Sequence, residues 1–491
     1  MTVRVRYAPS PTGLQHIGSV RTALFNYLFA RAHAGVFILR IEDTDRDRYS
    51  ADALQDIYDT FDWLGFRWDE GPDCGGEFGP YIQSERAEHY TRYAQQLVDA
   101  GHAYYAYDTQ EELAAQREAS DGKGGYDRRF RDMSEAQIAP YRDRGIEPVI
   151  RFKSPLDGTT TLTDIVLGSM SWENQDLPAD PILVKSDGMP TYHLANVVDD
   201  HLMEITHILR AQEWIPSAPL HLQLYDRFGW TPPRYCHLPM VVGDDGQKLS
   251  KRHGATRVLE FRERGYLPEA IINYLARVGW SYDGERELFT LTELEALFAA
   301  ERINKSPAVF DYQKLDWLNG HYIREASDDR LVDALMPYLR SSGVAANVDD
   351  HAAAATLRAA VPLVRERLKT LDQIGETLGF AFSRPAAFDI TEMVPKKLSA
   401  GETVALVEKI VPLLDGIAER TDEENESLFR ETAERLQTKL GNLLMPLRIA
   451  VTGSKVSPPL FGSIRLVGTV ETRARVELAL DRLRAHAAEN A

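Results

Sequence analysis

Apolar and polar residues alternate along Val3, Arg4, Val5, Arg6, Tyr7 and Ala8, the period-two pattern of a strand with unlike faces. The loop Pro9-Ser10-Pro11-Thr12-Gly13 stops it abruptly. After His16-Ile17-Gly18-Ser19 the period lengthens: Val20, Ala23, Leu24, Tyr27, Leu28 and Arg31 recur at three- and four-residue spacing, predicting a helix that Gly35 ends. Val36 to Ile41 is then almost continuously apolar, as expected of a parallel strand covered on both faces. The first 45 residues therefore spell a βαβ unit.

Between about Pro80 and Val184 the rhythm changes. A helix is predicted over Ser84 to Ala100, and short strand-like runs such as Val149 to Lys153 surround the turn signal Pro155-Leu156-Asp157-Gly158, which reads as an insertion. Apolar runs at Pro181 to Lys185, Ile205 to Arg210 and Tyr235 to Val242 predict that the parallel sheet resumes there, so the first domain is discontinuous in sequence. Beyond Ala326 strand signals fade and amphipathic helical segments take over, as in Ala352 to Leu378, Glu402 to Glu419 and Thr469 to Ala488. The acidic run Asp422-Glu423-Glu424-Asn425-Glu426 reads as a solvated helix start.

Composition narrows the picture. With 491 residues the chain exceeds one core and predicts three or four domains. No run approaches the ~20 apolar residues of a membrane span, and the N-terminus lacks the apolar core of a secretory signal, so a cytoplasmic location and no membrane partner are expected. Cys74 and Cys236 are too few for a disulfide framework and have no nearby thiol or imidazole set for zinc. The formal net charge of −18 excludes a protein that coats nucleic acid by bulk positive potential, so any RNA contact must be local.

Two short segments carry candidate chemistry. His16-Ile17-Gly18-Ser19 lies where a strand hands over to a helix, and there free N–H groups and the helix dipole favour a phosphate. Gly18 would let the phosphate reach the backbone, Ser19 would cap the helix, and His16 would donate a hydrogen bond. The second segment, Lys248-Leu249-Ser250-Lys251-Arg252, follows the glycine-bearing loop Gly243-Asp244-Asp245-Gly246. Its two ammonium groups can close over a triphosphate and offset the charge that builds in phosphoryl transfer. Taken alone, each string also fits an ordinary helix start or a solvated basic turn.

Together, Pro9 to Ser19 and Lys248 to Arg252 resemble the two signature motifs of class I aminoacyl-tRNA synthetases in order and separation. Arg40-Ile41-Glu42-Asp43-Thr44-Asp45, the stretch Pro190 to His201, and Leu209 to Trp214 are similar to blocks of the bacterial glutamyl members. The resemblance implies an α/β fold: a Rossmann-type parallel-sheet catalytic domain (residues 1–80 and 185–245) with an α+β insertion at the tRNA acceptor end (81–184). A mixed stem-contact region carrying the lysine loop (246–325) and an all-α C-terminal anticodon-binding domain (326–491) would follow.

It further implies ATP-dependent attachment of L-glutamate to its tRNA through an adenylate. His16, Lys248 and Lys251 would be catalytic; Pro9, Thr12, His16, Gly18, Ser19, Lys248, Ser250 and Lys251 would bind ATP, with Mg²⁺ on its phosphates. Arg6, Ser10, Glu42, Tyr192, Asn196 and Arg210 would bind glutamate, the arginines answering carboxylates and Glu42 the ammonium. For any one of these the alternative is a structural ion pair, such as Arg40 with Asp43. Arg128 and Arg129, with Tyr126 and Arg131, would meet the acceptor end; Arg365 and Arg367, with Lys369, would meet the anticodon.

The chain departs from the family pattern in having Ser19 where a second histidine can stand, and no thiolate in Ala103 to Asp108, so zinc is not expected. A monomer is expected, with no apolar stripe demanding a partner. Other readings share parts of the pattern: a transferase placing glutamate on a modified tRNA base, a glutaminyl enzyme, and a catalytically silent tRNA-binding adaptor. The first lacks a counterpart to the last third of the chain, the second calls for a β-rich anticodon region, and the third does not need His16, Lys248 and Lys251 intact.

Overall fold

The computed structural model describes residues 2–45, 47–119, 125–385 and 388–489. The chain divides into two compact units, Met1–Glu260 with Ile271–Tyr312 and Phe261–Ala270 with Gln313–Ala491.

The first unit opens with β1 (Arg4–Tyr7), α1 (Ile17–Ala32) and β2 (Val36–Leu39), and β1 and β2 pair in parallel from Arg4↔Val36 to Tyr7↔Leu39. This is the βαβ unit expected from the period change. Next comes α2 (Ala51–Leu64), a helix the sequence reading did not assign; Ser50 caps it and Gly65 ends it at φ 77°. Its buried stripe of Ala53, Ile57, Phe61 and Leu64 packs toward the sheet, and Phe61 meets Tyr7 with ring centroids 5.6 Å apart.

The inserted segment contains α3 (Ala87–Asp99), β3 (Ala103–Ala106), α4 (Gln110–Ala119), α5 (Glu135–Asp143), β4 (Val149–Phe152), the hairpin β5 (Thr159–Asp164) and β6 (Gly168–Glu173), and β7 (Ile182–Val184). Here the structure corrects the expectation that the parallel sheet resumes at residue 181. β7 pairs antiparallel with β4 in the three-stranded order β3-β4-β7. A short apolar run reads alike in a parallel sheet and in an antiparallel one buried on both faces. Leu183 and Val184 are of the second kind, packing with Tyr90, Leu97, Phe152 and Leu194.

The chain then forms α6 (Tyr192–Leu202), β8 (His207–Ala211), α7 (Ala218–Phe228), β9 (Arg234–Leu238) and β10 (Val241–Val242), the last paired in parallel with β11 (Ala308–Val309). The run 235–242, read as one strand, breaks at Pro239, which has no N–H for a ladder. β8 and β9 are parallel, and β9 continues into the hairpin through a parallel bridge Asp164↔Tyr235, giving the order β6-β5-β9-β8. The amide of Thr206 donates to the Arg4 carbonyl at 2.9 Å, setting β1 beside β8. The carboxyl ends of β1, β2 and β8 thus gather at one rim, where open α/β sheets bind ligands.

The second unit is helical apart from its connections. Two cores hold it: one around Leu335, Leu357, Val361 and Ile374, the other around Val407, Leu414, Phe429, Leu447 and Val476. The segment 352–378 is not one helix but Asp350–Val364 followed by short turns at Leu371–Gln373 and Ile374–Leu378. Residues 422–426 open the helix Asp422–Arg435, whose capping box joins Thr421 and Glu424. Phe261–Ala270 groups with this unit: Asn319 accepts from the Leu267 amide at 2.7 Å, and Gly265 accepts from the Leu371 amide at 2.9 Å. At Gly265 (φ 79°) a Cβ would stand 2.4 Å from that amide nitrogen, so only glycine fits.

Candidate active site

At the rim of the first unit a cavity of about 750 Å³ opens between the Pro9–Gly13 loop, the start of α1, the ends of β1 and β8, α6 and the lysine loop. Its lining includes Arg6, Pro9, Ser10, Thr12, His16, Gly18, Ser19, Glu42, Tyr192, Asn196, Arg210, Lys248, Ser250 and Lys251. The histidine turn and the lysine loop, 232 residues apart by His16 and Lys248, therefore face one space.

The histidine end works through the backbone. His16, not Ser19, is the N-cap of α1: its Nδ1 accepts from the Gly18 amide at 3.1 Å. That corrects the expected cap. A histidine immediately ahead of a helix can turn its ring back onto the first turn, whereas Ser19 is already the third residue of the helix, with its hydroxyl directed at Tyr7. Because Nδ1 accepts, the ring proton belongs on Nε2, which leaves that nitrogen as a donor. Burial, followed by the nearby Lys248 ammonium, pulls the His16 pKa down, so the ring is a neutral donor at neutral pH.

The lysine loop presents its charges on a braced turn. Val242 bridges Lys248, and the Leu249 amide donates to the Val241 carbonyl at 3.1 Å, so the loop hangs from β10. His253 accepts from the Ser250 amide at 3.0 Å and meets Asp245 through Nε2 at 3.1 Å, bracing the turn. Lys248 pairs with Glu213, while Lys251 is exposed and, among the described residues, its ammonium has no carboxylate partner. Below the floor, Arg21 is buried with its guanidinium on the carbonyls of Pro239 (2.5 Å) and Val278 (3.1 Å), and burial lowers its pKa to about 10.

On the other side of the cavity lies a buried charge network. Asp200 accepts from Arg6 at 3.0 and 3.2 Å and from Arg40 at 2.7 Å; Arg40 also donates to Glu42 at 3.0 Å. Asp199 accepts from Arg86 at 2.7 Å and from Gln83 and Tyr90 at 2.8 Å. Asp43 instead accepts from Ser84, so it is not the partner of Arg40. Three guanidinium groups, Arg6, Arg40 and Arg86, thus face three carboxylates, Glu42, Asp199 and Asp200. Burial pushes the Asp200 pKa up, but Arg6 and Arg40 more than reverse this and leave it low. Burial raises that of Glu42 against the opposing pull of Arg40 and Arg6.

Arg210 differs from those three. Its donors go to His237 Nε2 (3.0 Å), the Trp214 carbonyl (3.1 Å) and the Tyr192 hydroxyl (3.5 Å), all uncharged acceptors. Asn196 is 1% exposed, and among the described residues its Oδ1 has no partner. The site therefore holds an unneutralised guanidinium, Arg210, and an unsatisfied acceptor beside a network whose charges already cancel; Arg21, the other buried cation there without a carboxylate, spends its donors on backbone carbonyls.

The remaining candidate residues lie outside the cavity. Arg128 donates to Asp180 at 3.4 Å, and Arg129 lies 3.2 Å from Asp108. Arg131 also joins Asp180, and Tyr126 donates to Asp108 at 2.7 Å. In the second unit Arg365 pairs with Asp328 and donates to the Arg324 carbonyl, while Arg367 is exposed. Among the described residues no group of three or more His, Cys, Asp or Glu side chains is placed to hold a metal, and no helix is long and apolar enough to cross a membrane.

Sequence reasoning did not assign roles to Arg21, Asp164, Asp199, Asp200, Glu213 or His237. Only Arg21 carried a local signal, a charge within the apolar stripe of α1. The others act through partners far away in sequence.

Known proteins resemble this chain over nearly its whole length. The profile of the class I tRNA synthetase (E and Q) catalytic domain matches residues 2–317, and that of an anticodon binding domain matches residues 330–480. A glutamate–tRNA ligase of Borrelia recurrentis is 51% identical over 487 residues, covering 99% of this chain and 96% of the relative. One from Treponema denticola is 49% identical over 502 residues, covering 98% and 99%. The crystal structure of a glutamate-tRNA synthetase from Elizabethkingia anophelis superposes with a TM-score of 0.86 at 35% identity, over 98% of this chain and 100% of that one.

Proposed function

The chain belongs to the class I tRNA synthetases of the glutamate–tRNA ligase family, and from that premise we propose how its residues divide the work of attaching L-glutamate to the 3′ end of its tRNA. The observation that carries the assignment is the Arg210 guanidinium, buried without a carboxylate beside a self-neutralised network. Glutamate, with two carboxylates and one ammonium, brings a net negative charge that can answer this guanidinium.

In this reading Arg210 and the unused Nη1 of Arg6 receive carboxylates, Glu42 receives the ammonium, and Ser10, Tyr192 and Asn196 complete the polar lining. ATP lies over Pro9, Thr12, Gly18 and Ser19, with its phosphates between His16 and the Lys248, Ser250 and Lys251 loop. A glutamate carboxylate oxygen attacks the α-phosphorus in line, and the bond to pyrophosphate breaks. The terminal ribose hydroxyl of the tRNA then attacks the mixed anhydride and AMP leaves. No enzyme nucleophile is required; catalysis comes from positioning and from charge stabilisation by neutral His16, Lys248 and Lys251. Lys248 reaches the phosphates by exchanging its Glu213 partner for them.

Mg²⁺ enters with the nucleotide in this reading. Among the described residues the carboxylates lining the cavity are Glu42 and Glu213, and with no nucleotide bound these are engaged by Arg40 and Lys248. Zinc has no role, since the insertion contains no cysteine. We assign residues 81–184, with Arg128 and Arg129, to the tRNA acceptor end and residues 326–491, with Arg365 and Arg367, to the anticodon. Residues 246–325 serve the stem between them, in a monomer acting in the cytoplasm. Charging of purified tRNAs with radiolabelled glutamate, glutamine and aspartate tests the assignment. Glutamate alone, on its own tRNA, is the expected product; absence of glutamate transfer would overturn it.

A further inference from the structure

We propose that Asp164 and His237 position Arg210, presenting its guanidinium to a substrate carboxylate while leaving its charge uncancelled. Neither residue touches the cavity, and neither belongs to the motifs that marked the site.

The donor pattern dictates the chemistry. Arg210 Nε can only donate, so His237 Nε2, 3.0 Å away, must be the unprotonated nitrogen. The ring proton is therefore on Nδ1, 2.7 Å from Asp164 Oδ2, and a carboxylate can accept it. Asp164 is held in turn: its Oδ1 accepts from the amides of Val166 and Leu167 at 2.9 Å, and its Oδ2 also accepts from the His237 amide at 3.0 Å. Both ends of the imidazole are thus fixed, and with them one tautomer. The Tyr235 ring stacks near the imidazole, with centroids 5.8 Å apart. Burial, with a further push from the Arg210 charge, outweighs the Asp164 bond and keeps the ring neutral.

A carboxylate long enough to reach the His237 Nε2 position, as a glutamate would be, could hold Arg210 but would neutralise it, as Asp200 does to Arg6 and Arg40. A neutral imidazole supplies the acceptor without the charge. The Asp164 carboxylate, set back by the width of the ring, fixes the tautomer without competing with the incoming carboxylate. It sits at the end of β5, where the strand bridges Tyr235 on β9. The hairpin that the sequence pattern assigns to the insertion therefore acts on the amino-acid site.

This inference rests on the assignment of Arg210 as a substrate ligand, and the experiment separates the two. Charging kinetics of the full-length enzyme are compared for His237→Asn, His237→Gln, Asp164→Asn and Arg210→Gln. Asparagine can still donate to Asp164 but stops short of Arg210. His237→Asn is therefore expected to raise KM for glutamate by roughly 10- to 100-fold, the effect of a hydrogen bond to a charged group, with KM for ATP within about twofold. Glutamine places an oxygen near the Nε2 position, so His237→Gln is expected to restore KM for glutamate to within a few-fold. Asp164→Asn can donate to Nδ1 and force the proton onto Nε2, against the Arg210 donor; it is expected to mimic His237→Asn and carries the same comparison if that variant does not fold.

Equal losses in His237→Asn and His237→Gln, or parallel rises in KM for glutamate and ATP, would overturn the positioning role. If Arg210→Gln raises KM for glutamate while His237→Asn and Asp164→Asn do not, the positioning proposal alone falls. If Arg210→Gln leaves that KM unchanged, the assignment of Arg210 falls and the inference falls with it.

Discussion

Replacing Asp200 with asparagine probes the charge network at its centre. The side chain keeps its shape, and its one oxygen can still accept at the Oδ1 position, where Arg6 Nε and Arg40 Nη1 donate at 3.0 and 2.7 Å. The new amide then points a donor at Arg6 Nη2, which now donates to Oδ2 at 3.2 Å. The balance of three guanidinium groups against three carboxylates becomes three against two, all buried. Removing one partner of a buried ion pair costs about 3–5 kcal/mol.

In a unit of about 300 residues that corresponds to a fall of roughly 5–8 °C in the unfolding of the first unit. Differential scanning calorimetry reads it as a shift of one transition, because the helical unit has its own cores. The pH dependence has a definite sign. Since the folded-state pKa of Asp200 lies below its ordinary value of 3.8, its contribution is fully present above that value and is lost as pH falls through the folded pKa. The gap between wild type and Asp200→Asn should therefore be constant from pH 6 to 8 and close only in acid. KM for glutamate should rise as well, because Arg6 loses its anchor. A melting shift below about 2 °C with unchanged KM would refute the claim that this network holds Arg6 in place.

Other expectations follow from the same geometry. Lys251→Ala removes an exposed ammonium that has no carboxylate partner among the described residues, so single-turnover adenylate formation should slow by roughly 100-fold or more while glutamate binding changes little; an unaltered activation rate would remove Lys251 from the mechanism. At Gly18 a Cβ would meet only the His16 ring, at 3.4 Å, so Gly18→Ala should fold normally yet raise KM for ATP by about tenfold; unchanged KM would mean that phosphate does not approach this backbone. Arg365→Gln frees Asp328 and should relax the preference for the glutamate tRNA over the glutamine tRNA in charging assays, and unaltered selectivity would count against its role.

How much of this was legible beforehand follows from the range of the contacts. The βαβ unit, the histidine turn and the lysine loop each write their chemistry within about a dozen consecutive residues, and all fourteen cavity residues expected from motif and resemblance do line one space. The helical last third announced itself by period alone, though Pro412 and the breaks near Leu371 were averaged over. What stayed hidden depends on pairing across distance. Ile182–Val184 is apolar enough for either sheet, and only its register with Ile150 and Arg151 decides. Asp164 and His237 are 73 residues apart, and neither has a neighbour in sequence that hints at the other. Asp199 and Asp200 look like the polar end of an amphipathic helix until Arg6, Arg40 and Arg86 converge on them. The exchange of Ser19 for His16 as the cap turned on a ring rotation that residue type alone does not specify.

The central claim is that amino acid and nucleotide occupy one continuous cavity, side by side. Steady-state inhibition by glutamyl sulfamoyl adenosine, a stable mimic of the mixed anhydride, tests it most directly. The account predicts inhibition competitive with both glutamate and ATP by a single bound molecule, whereas competition with only one of the two would contradict it.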